Sequence, residues 1–235
     1  MNFDFAAGSR DVFYVDDAFD KKDIEAVVLD LDGTVVDSVD QIVHCAKSAF
    51  KLLNLPEPET NAIKSIIGKK LEEGLTFLLP DDKKSMGSEV TTWYRQFFID
   101  NDKYNKQVLF DGVVDTLDYL ATKGYKLAVA SGRSTIGIQR ALDTTILGKY
   151  IQVFCAGDEV PSKPHPKMAL TVAKRLGVSP NCMLGVGDTD MDIELFLNAK
   201  AKSAGVCTGV WSGDAIKTLK PHLVLPHIAF LKDVL

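Results

Sequence analysis

The chain has 235 residues, 46% of them apolar and 25% charged, which is typical of a globular protein with one large domain, or one domain and an insert. Its net charge of −5 gives no sign of a nucleic-acid or membrane-surface partner, and no apolar run approaches the ~20 residues that span a bilayer. The four cysteines form no Cys-x-x-Cys pair and are interpreted as small buried apolar residues. Because the N-terminus has neither the basic region nor the apolar core of a secretory signal, we expect a cytoplasmic location.

The chain begins with mixed aromatic and acidic residues, which predict an N-terminal extension over residues 1–22. Within it, Phe13-Tyr14-Val15 could add a strand or dock on the surface. The apolar run at 25–31 predicts a buried strand. Residues 38–108 then carry apolar side chains at three- and four-residue spacing, which predicts helices and no strand. The last of these helical patterns runs from Asp82 to about Lys103.

Strand-like and helix-like segments alternate after residue 110. The predicted strands lie at 126–130, 151–155, 183–186 and 201–206, and helical patterns separate them. This order predicts an α/β fold, a Rossmann-like three-layer core in which helices cover both faces of a parallel sheet. Since the first strand belongs to this sheet, the segment between the first two strands is an all-α insert. The predicted domains are the extension 1–22, the core 23–37 and 109–235, and the helical insert 38–108.

Polar residues follow four of these strands. They are Asp30 and Asp32 after the first, Ser131-Gly132-Arg133 after the second, Lys163 after the third, and Asp188, Thr189, Asp190 and Asp192 after the fourth. Parallel strands bring these positions to one edge of the sheet. Clustered carboxylates suit a Mg²⁺ ion, and a lysine with a hydroxyl supplies donors for a phosphate. Taken singly, the first pair could mark a turn, Asp188–Asp190 could cap a helix, and Lys163 could be solvated.

The order of these segments and the residues in them resemble the motifs of the haloacid dehalogenase-type hydrolases. The resemblance is to the branch with a helical cap after the first strand, and within it to the phosphoglycolate-phosphatase-like members. Asp30-Leu31-Asp32-Gly33-Thr34 matches the first motif of that family, Ser131 the second, Lys163 the third and Gly187–Asp192 the fourth. The similarity covers about residues 24–225. It implies that the helical insert is a cap domain over the active site.

The resemblance implies a role for each matched residue. Asp30 would be the nucleophile that takes the phosphoryl group, and Asp32 would protonate the leaving alcohol and then activate water. Ser131 and Lys163 would hold phosphate oxygens, with Gly132 beside them. The expected cofactor is Mg²⁺, bound by Asp30, the backbone carbonyl of Asp32, and Asp188. The residues expected to support these groups are Thr34, Thr189 and Asp192.

Two basic residues are candidates for substrate recognition. The segment Ile66–Leu71 resembles the cap loop that reaches over the active site in this branch. In beta-phosphoglucomutases this loop has basic residues where this chain has Ile67 and Leu71, which counts against a sugar-phosphate mutase. Arg133 resembles a basic position of phosphoglycolate-phosphatase-like members. Lys69 and Arg133 are therefore predicted to grip an acidic substrate beyond its phosphate.

The leading functional prediction is a Mg²⁺-dependent phosphoric monoester hydrolase acting on a small phosphorylated metabolite, with phosphoglycolate as the first guess. One alternative is a phosphomutase of the beta-phosphoglucomutase type, and another is a pyrophosphatase or nucleotidase. A third alternative, outside the enzymes, is a catalytically silent binding domain on the same fold. We expect no nucleic-acid or membrane partner and a monomer or homodimer.

Overall fold

A computed structural model describes residues 14–16, 19–100 and 107–235 of the chain. The strands, in chain order, are β1 (Tyr14–Val15), β2 (Ala26–Leu29), β3 (Lys126–Ser131), β4 (Val153–Ala156), β5 (Met183–Gly187), β6 (Lys202–Val206) and β7 (Leu223–Leu225). They form one sheet in the order β1-β7-β6-β5-β2-β3-β4. Neighbouring strands are parallel except for β1 and β7, which pair antiparallel. The predicted α/β fold with a parallel sheet is confirmed.

Helices cover both faces of this sheet. The helices are α1 (Val39–Leu52), α2 (Thr60–Lys64), α3 (Leu71–Leu78), α4 (Gly87–Asp100), α5 (Val113–Thr122), α6 (Thr135–Thr144), α7 (Leu147–Tyr150), α8 (Lys167–Leu176), α9 (Asp190–Asn198), α10 (Gly213–Thr218) and α11 (Leu231–Val234). All four residues of β2 are buried, with Val27 and Leu29 in the core on one face and Ala26 and Val28 in the core on the other. Each large apolar side chain buried in this way contributes about 1.5–3 kcal/mol.

Helices α1 to α4 enclose a separate apolar core. Its largest fully buried side chains are Phe50, Ile63 and Leu75. The predicted helix from Asp82 begins later than expected, because Asp81–Met86 forms a 3₁₀ helix before α4 starts at Gly87. The predicted end near Lys103 lies outside the described residues. We refer to α1–α4 as the helical group; the predicted domain boundaries at 38 and 108 stay a prediction.

The chain leaves the sheet for the helical group and returns through two segments that pair with each other. Val36 and Leu109 form an antiparallel bridge. Next to it, the amide of Asp37 donates to the carbonyl of Val108 at 2.8 Å, and the amide of Phe110 donates to the carbonyl of Val35 at 3.1 Å. We call residues 35–37 and 108–110 the paired connections.

The part of the N-terminal extension that the structure describes adds the edge strand β1. Tyr14 pairs with Val224 and Val15 with Leu223, which confirms a strand at this point. Phe13 and most of the remaining extension lie outside the described residues. All four cysteines are free, and Cys45 and Cys155 are fully buried. Among the helices that the structure describes, none is both long and apolar enough to cross a lipid bilayer.

Candidate active site

Three neighbouring strands bring the predicted site residues to one edge of the sheet. In the order β5-β2-β3, Asp188 follows β5, Asp30 follows β2, and Ser131 ends β3. The register aligns Leu29 with both Val129 and Val186, and the Asp30 amide donates to the carbonyl of Val186 at 2.9 Å. These side chains therefore converge because the strands are parallel and in register, although they are far apart in sequence.

Lys163 joins two of the carboxylates inside the protein. Its Nζ donates to Asp30 Oδ1 at 2.6 Å and to Asp192 Oδ1 at 2.6 Å, and all three residues are buried. Burial raises the pKa of Asp30 to about 7, although Lys163 opposes this. Burial also acts to lower the pKa of Lys163, but Asp192 and Asp30 outweigh it and raise that pKa. The lysine is therefore held as a cation that orients Asp30.

Asp30, Asp188 and Asp192 form a compact cluster whose ligand oxygens lie within 4.8 Å of one another. Asp188 accepts from Thr34 Oγ1 at 3.0 Å and from the amide of Val210 at 3.0 Å. Burial raises the pKa of Asp188 well above its usual range, and repulsion from Asp192 and Asp30 adds to this effect. Three buried carboxylates against one lysine leave excess negative charge among hard oxygen donors. This donor set fits Mg²⁺, which would relieve the repulsion.

Thr189 and Asp192 also cap α9. Thr189 is its N-cap residue, and Asp192 Oδ2 accepts from the Thr189 amide at 3.1 Å and from its hydroxyl at 2.6 Å. The capping alternative and the site prediction are thus compatible. One oxygen of Asp192 fixes the helix start while the other binds Lys163, so the helix itself positions the lysine.

Asp32 lines the same cavity as Asp30 and binds Arg133. Arg133 Nε donates to Asp32 Oδ2 at 2.8 Å, Arg133 Nη2 donates to Oδ1, and Ser38 Oγ donates to Oδ1 at 2.5 Å. Burial acts to raise the pKa of Asp32, but Arg133 and these hydrogen bonds hold it below its usual range. Arg133 Nη1 also donates to Gln107 Oε1 at 2.6 Å, and its guanidinium lies 5.8 Å from the centre of the Phe98 ring. Arg133 thus binds Asp32 and also lines the cavity beside Asp30, and its predicted contact with the substrate stays a prediction.

Gly132 permits close contact between the helical group and the sheet edge. A methyl group on Gly132 would lie 2.6 Å from the carbonyl oxygen of Gly68 and 2.7 Å from that of Lys69. Gly68 has φ of 95°, which suits glycine, so the loop 66–70 can turn its backbone onto Gly132. Lys69 lines the cavity that results. The loop thus reaches the site, as the sequence predicts, through backbone contact.

The sequence reasoning missed two residues that act on Asp32 or Arg133. Ser38 directly precedes α1 and has the sequence signature of a helix cap, but its side chain makes no capping bond and binds Asp32 instead. Gln107 carries no motif; it is found only because the structure places it, next to the paired connection 108–110, against Arg133. For Ser38, the signal in the sequence was a hydroxyl residue six positions after Asp32.

The parallel sheet, the strand-end carboxylates and the helical group over them define a haloacid dehalogenase-type α/β hydrolase. The chain belongs to this family: the model of the haloacid dehalogenase-like hydrolases matches residues 27–206. The phosphoglycolate phosphatase of Escherichia coli strain K12 is 32% identical, and the match covers 88% of this chain and 90% of that protein.

Solved structures of other proteins have a similar fold. A putative haloacid dehalogenase-like hydrolase from Bacteroides fragilis has a TM-score of 0.79 at 23% identity, covering 88% of this chain and 99% of that one. A beta-phosphoglucomutase from Clostridium difficile has a TM-score of 0.72 at 21% identity, covering 88% and 93%. The family and its curated relatives support the predicted enzyme class, a phosphoric monoester hydrolase.

Proposed function

We propose that this protein is a Mg²⁺-dependent phosphatase that hydrolyses a small phosphomonoester through an aspartyl-phosphate. The observation that carries the proposal is the buried Lys163, bound at 2.6 Å to both Asp30 and Asp192 beside Asp188. Stability alone does not require these buried charges beside a cavity, because well-packed apolar residues would stabilise the fold equally well. Similarity to the Escherichia coli phosphoglycolate phosphatase makes phosphoglycolate the first substrate to test.

In the first step, a carboxylate oxygen of Asp30 attacks phosphorus. The Asp30–phosphorus bond forms, the bond from phosphorus to the ester oxygen breaks, and Asp32 gives its proton to the leaving alcohol. Lys163 holds Asp30 and offsets charge on the phosphoryl oxygens, and Ser131 and Gly132 line the same cavity. Because Arg133 and Ser38 bind Asp32 and hold its pKa low, Asp32 must leave them and take up a proton from solvent before it can donate to the leaving oxygen.

In the second step, water attacks the phosphorus of the aspartyl-phosphate. Asp32 takes a proton from this water, the bond between Asp30 and phosphorus breaks, and inorganic phosphate leaves. Asp30, the backbone carbonyl of Asp32, and Asp188 would hold Mg²⁺. The ion supplies positive charge for the carboxylates and the phosphoryl oxygens. Thr34 and Asp192 fix the carboxylates and Lys163 around it.

The test is Asp30→Asn, assayed on a panel of phosphomonoesters with Mg²⁺ and with a chelator. We expect loss of turnover, together with loss of the phosphoryl adduct that acid-quenched wild-type protein carries on the peptide containing Asp30. Asp118→Asn, an exposed carboxylate on α5, is the matched control and should keep both signals. Full turnover by Asp30→Asn, or turnover that survives chelation, would refute the proposal.

The second candidate is a phosphomutase, favoured by the shared fold with the beta-phosphoglucomutase structure. A mutase would return the phosphoryl group to a second hydroxyl, so it would release little inorganic phosphate. Phosphate release without a bisphosphate activator distinguishes the two. Nucleoside monophosphates in the panel test the nucleotidase alternative, and pyrophosphate added to it tests the pyrophosphatase alternative. The cytoplasmic location and the monomeric or homodimeric state stay predictions.

A further inference from the structure

A cavity of about 350 Å³ lies between the sheet edge and the helical group. Asp30, Asp32 and Ser131 line it on the sheet side, so a phosphoryl group on Asp30 would leave its alcohol inside this cavity. The volume falls within the range of roughly 300–1,000 Å³ that is typical of small-molecule pockets. A two-carbon acid beside its phosphate would fill only part of a pocket of this size.

The wall that the helical group contributes is predominantly apolar. Three of its four helices and the loop 66–70 supply it, with Ile42, Ile66, Leu75, Tyr94, Phe98 and Ile99 among the lining side chains. Ile66, Leu75 and Tyr94 are also buried in the core of the helical group, which fixes their positions. The wall is therefore a preformed apolar surface that faces the phosphate site.

Two apolar side chains at the cavity are exposed to solvent. Ile136 at the start of α6 is 82% exposed, and Ile99 near the end of α4 is 50% exposed. They come from opposite sides, one from the sheet-covering helices and the other from the helical group. Exposed isoleucines at a cavity gain free energy when an apolar group of a ligand covers them.

Arg133 is bound to protein groups while Asp32 points towards it. Its Nε, Nη1 and Nη2 each donate to a protein group, two to Asp32 and one to Gln107. The basic residues that the helical group and the loop 66–70 contribute to the cavity are Lys69, Lys70 and Arg95. Apolar side chains outnumber them on this wall. Apolar contact is therefore the main interaction that the wall offers to the alcohol part of a substrate.

We propose that the substrate is a phosphomonoester whose alcohol carries an apolar body, such as a branched aliphatic chain or an aromatic ring, larger than a two-carbon acid. The proposal rests on the phosphatase function proposed above and names its substrate class. The phosphoryl group lies at Asp30, and the apolar body fills the cavity against the wall of the helical group and the rim formed by Ile99 and Ile136.

The test measures kcat/KM of the full chain with Mg²⁺ for ethyl, butyl and hexyl phosphate and for phosphoglycolate. Each buried methylene should raise kcat/KM by up to roughly fourfold. We therefore expect hexyl phosphate to exceed ethyl phosphate by at least about tenfold and to equal or exceed phosphoglycolate. A flat series, or phosphoglycolate better than hexyl phosphate by tenfold or more, would overturn the proposal.

Variants of the rim residues Ile99 and Ile136 test where the apolar body of the substrate binds. Ile99→Ser with Ile136→Ser should reduce the ratio of kcat/KM between hexyl and ethyl phosphate by about fivefold or more, because both apolar contacts are lost. Ile146→Ser is the matched control, since Ile146 is 42% exposed and lies outside the cavity, and it should leave the ratio unchanged. An unchanged ratio in the rim variant would place the alkyl chain elsewhere and contradict the proposal.

Binding of ethyl and hexyl phosphonate, which resist hydrolysis, separates this proposal from the phosphatase proposal. Calorimetry with Mg²⁺ should give tighter binding and a more negative heat-capacity change for the longer chain. Chain-length-dependent binding with no turnover of any ester would refute the phosphatase function while supporting the apolar site. Turnover with no dependence on chain length would support the phosphatase function and refute the apolar site.

Discussion

The sheet edge and the wall of the helical group face each other across one cavity but are built from opposite chemistry. At the sheet edge, buried charges are fixed by one another: Lys163 binds Asp30 and Asp192, and Asp188 is held by Thr34. The opposite wall is largely apolar and contributes few groups that could take part in a reaction. The charged groups are positioned by strand register, whereas the apolar wall that faces them is positioned by the packing of the helical group.

Lys163→Met removes the buried cation at the sheet edge, and of the three variants considered it should cause the largest loss of kcat. It leaves Asp30 and Asp192 buried without their cation, so kcat should fall by at least about 100-fold and unfolding free energy by about 3–5 kcal/mol. Enzyme kinetics and urea unfolding measure the two losses. Lys163→Arg keeps the charge and much of the stability, yet its planar fork cannot place one nitrogen between both carboxylates, so kcat should still fall. Lys167→Met, which replaces an exposed lysine four residues further along the chain, is the control. Normal kcat in Lys163→Met would contradict the assignment of the reaction to the sheet edge.

Gly132→Ala tests the contact between the two sides. The added methyl would press on the carbonyl oxygens of Gly68 and Lys69, at 2.6 and 2.7 Å, and push the loop 66–70 from the sheet edge. Because a misplacement of about 1 Å can cost roughly 100-fold, we expect kcat/KM to fall at least about tenfold. The thermal unfolding midpoint should change little, since neither apolar core is altered.

Gly137→Ala provides the comparison for this change. Its added methyl would approach Ser134 Oγ no closer than 3.4 Å, an ordinary contact, and alanine favours α6 by up to about 1 kcal/mol. Because Gly137 also lines the cavity, we expect a much smaller fall in kcat/KM than for Gly132→Ala, with equal or higher stability. If Gly132→Ala behaved like Gly137→Ala, the close backbone approach would have no part in activity.

Ser38→Ala should have the smallest effect of the three. It removes the 2.5 Å hydrogen bond to Asp32, while Arg133 still holds that carboxylate through two nitrogens. A hydrogen bond to a charged group contributes about 1.5–3 kcal/mol. Because Asp32 must leave Ser38 and take up a proton to act as the acid, loss of this bond should ease the step, while Arg133 still restrains Asp32, so we expect kcat to rise by roughly threefold to tenfold. The stability of α1 should not change, because Ser38 makes no capping bond. Ser65→Ala, whose hydroxyl donates to the carbonyl of Ala62, is the control, and an equal change in kcat there would argue against a specific role.

The sheet edge could be predicted from sequence and the helical wall could not. Asp30, Ser131 and Asp188 follow apolar strands, and parallel pairing requires such strand ends to meet, so local sequence carries the information. The pairing of Asp32 with Arg133 joins residues 101 positions apart and depends on side-chain rotamers. The short strand β7, between Pro221 and Pro226, was missed because three apolar residues give no period.

The paired connections bring the two ends of the helical group to one point on the sheet. The amide of Asp37 and the carbonyl of Val108 are 2.8 Å apart, so the chain leaves and re-enters where it started. The bridge and the two backbone hydrogen bonds of the paired connections offset part of the entropy lost in closing this long loop. β2 and β3 pair directly with each other over four residues, so their register does not run through the helical group. The junction therefore anchors the helical group above the sheet edge at a point separate from the pairing that aligns the strand ends.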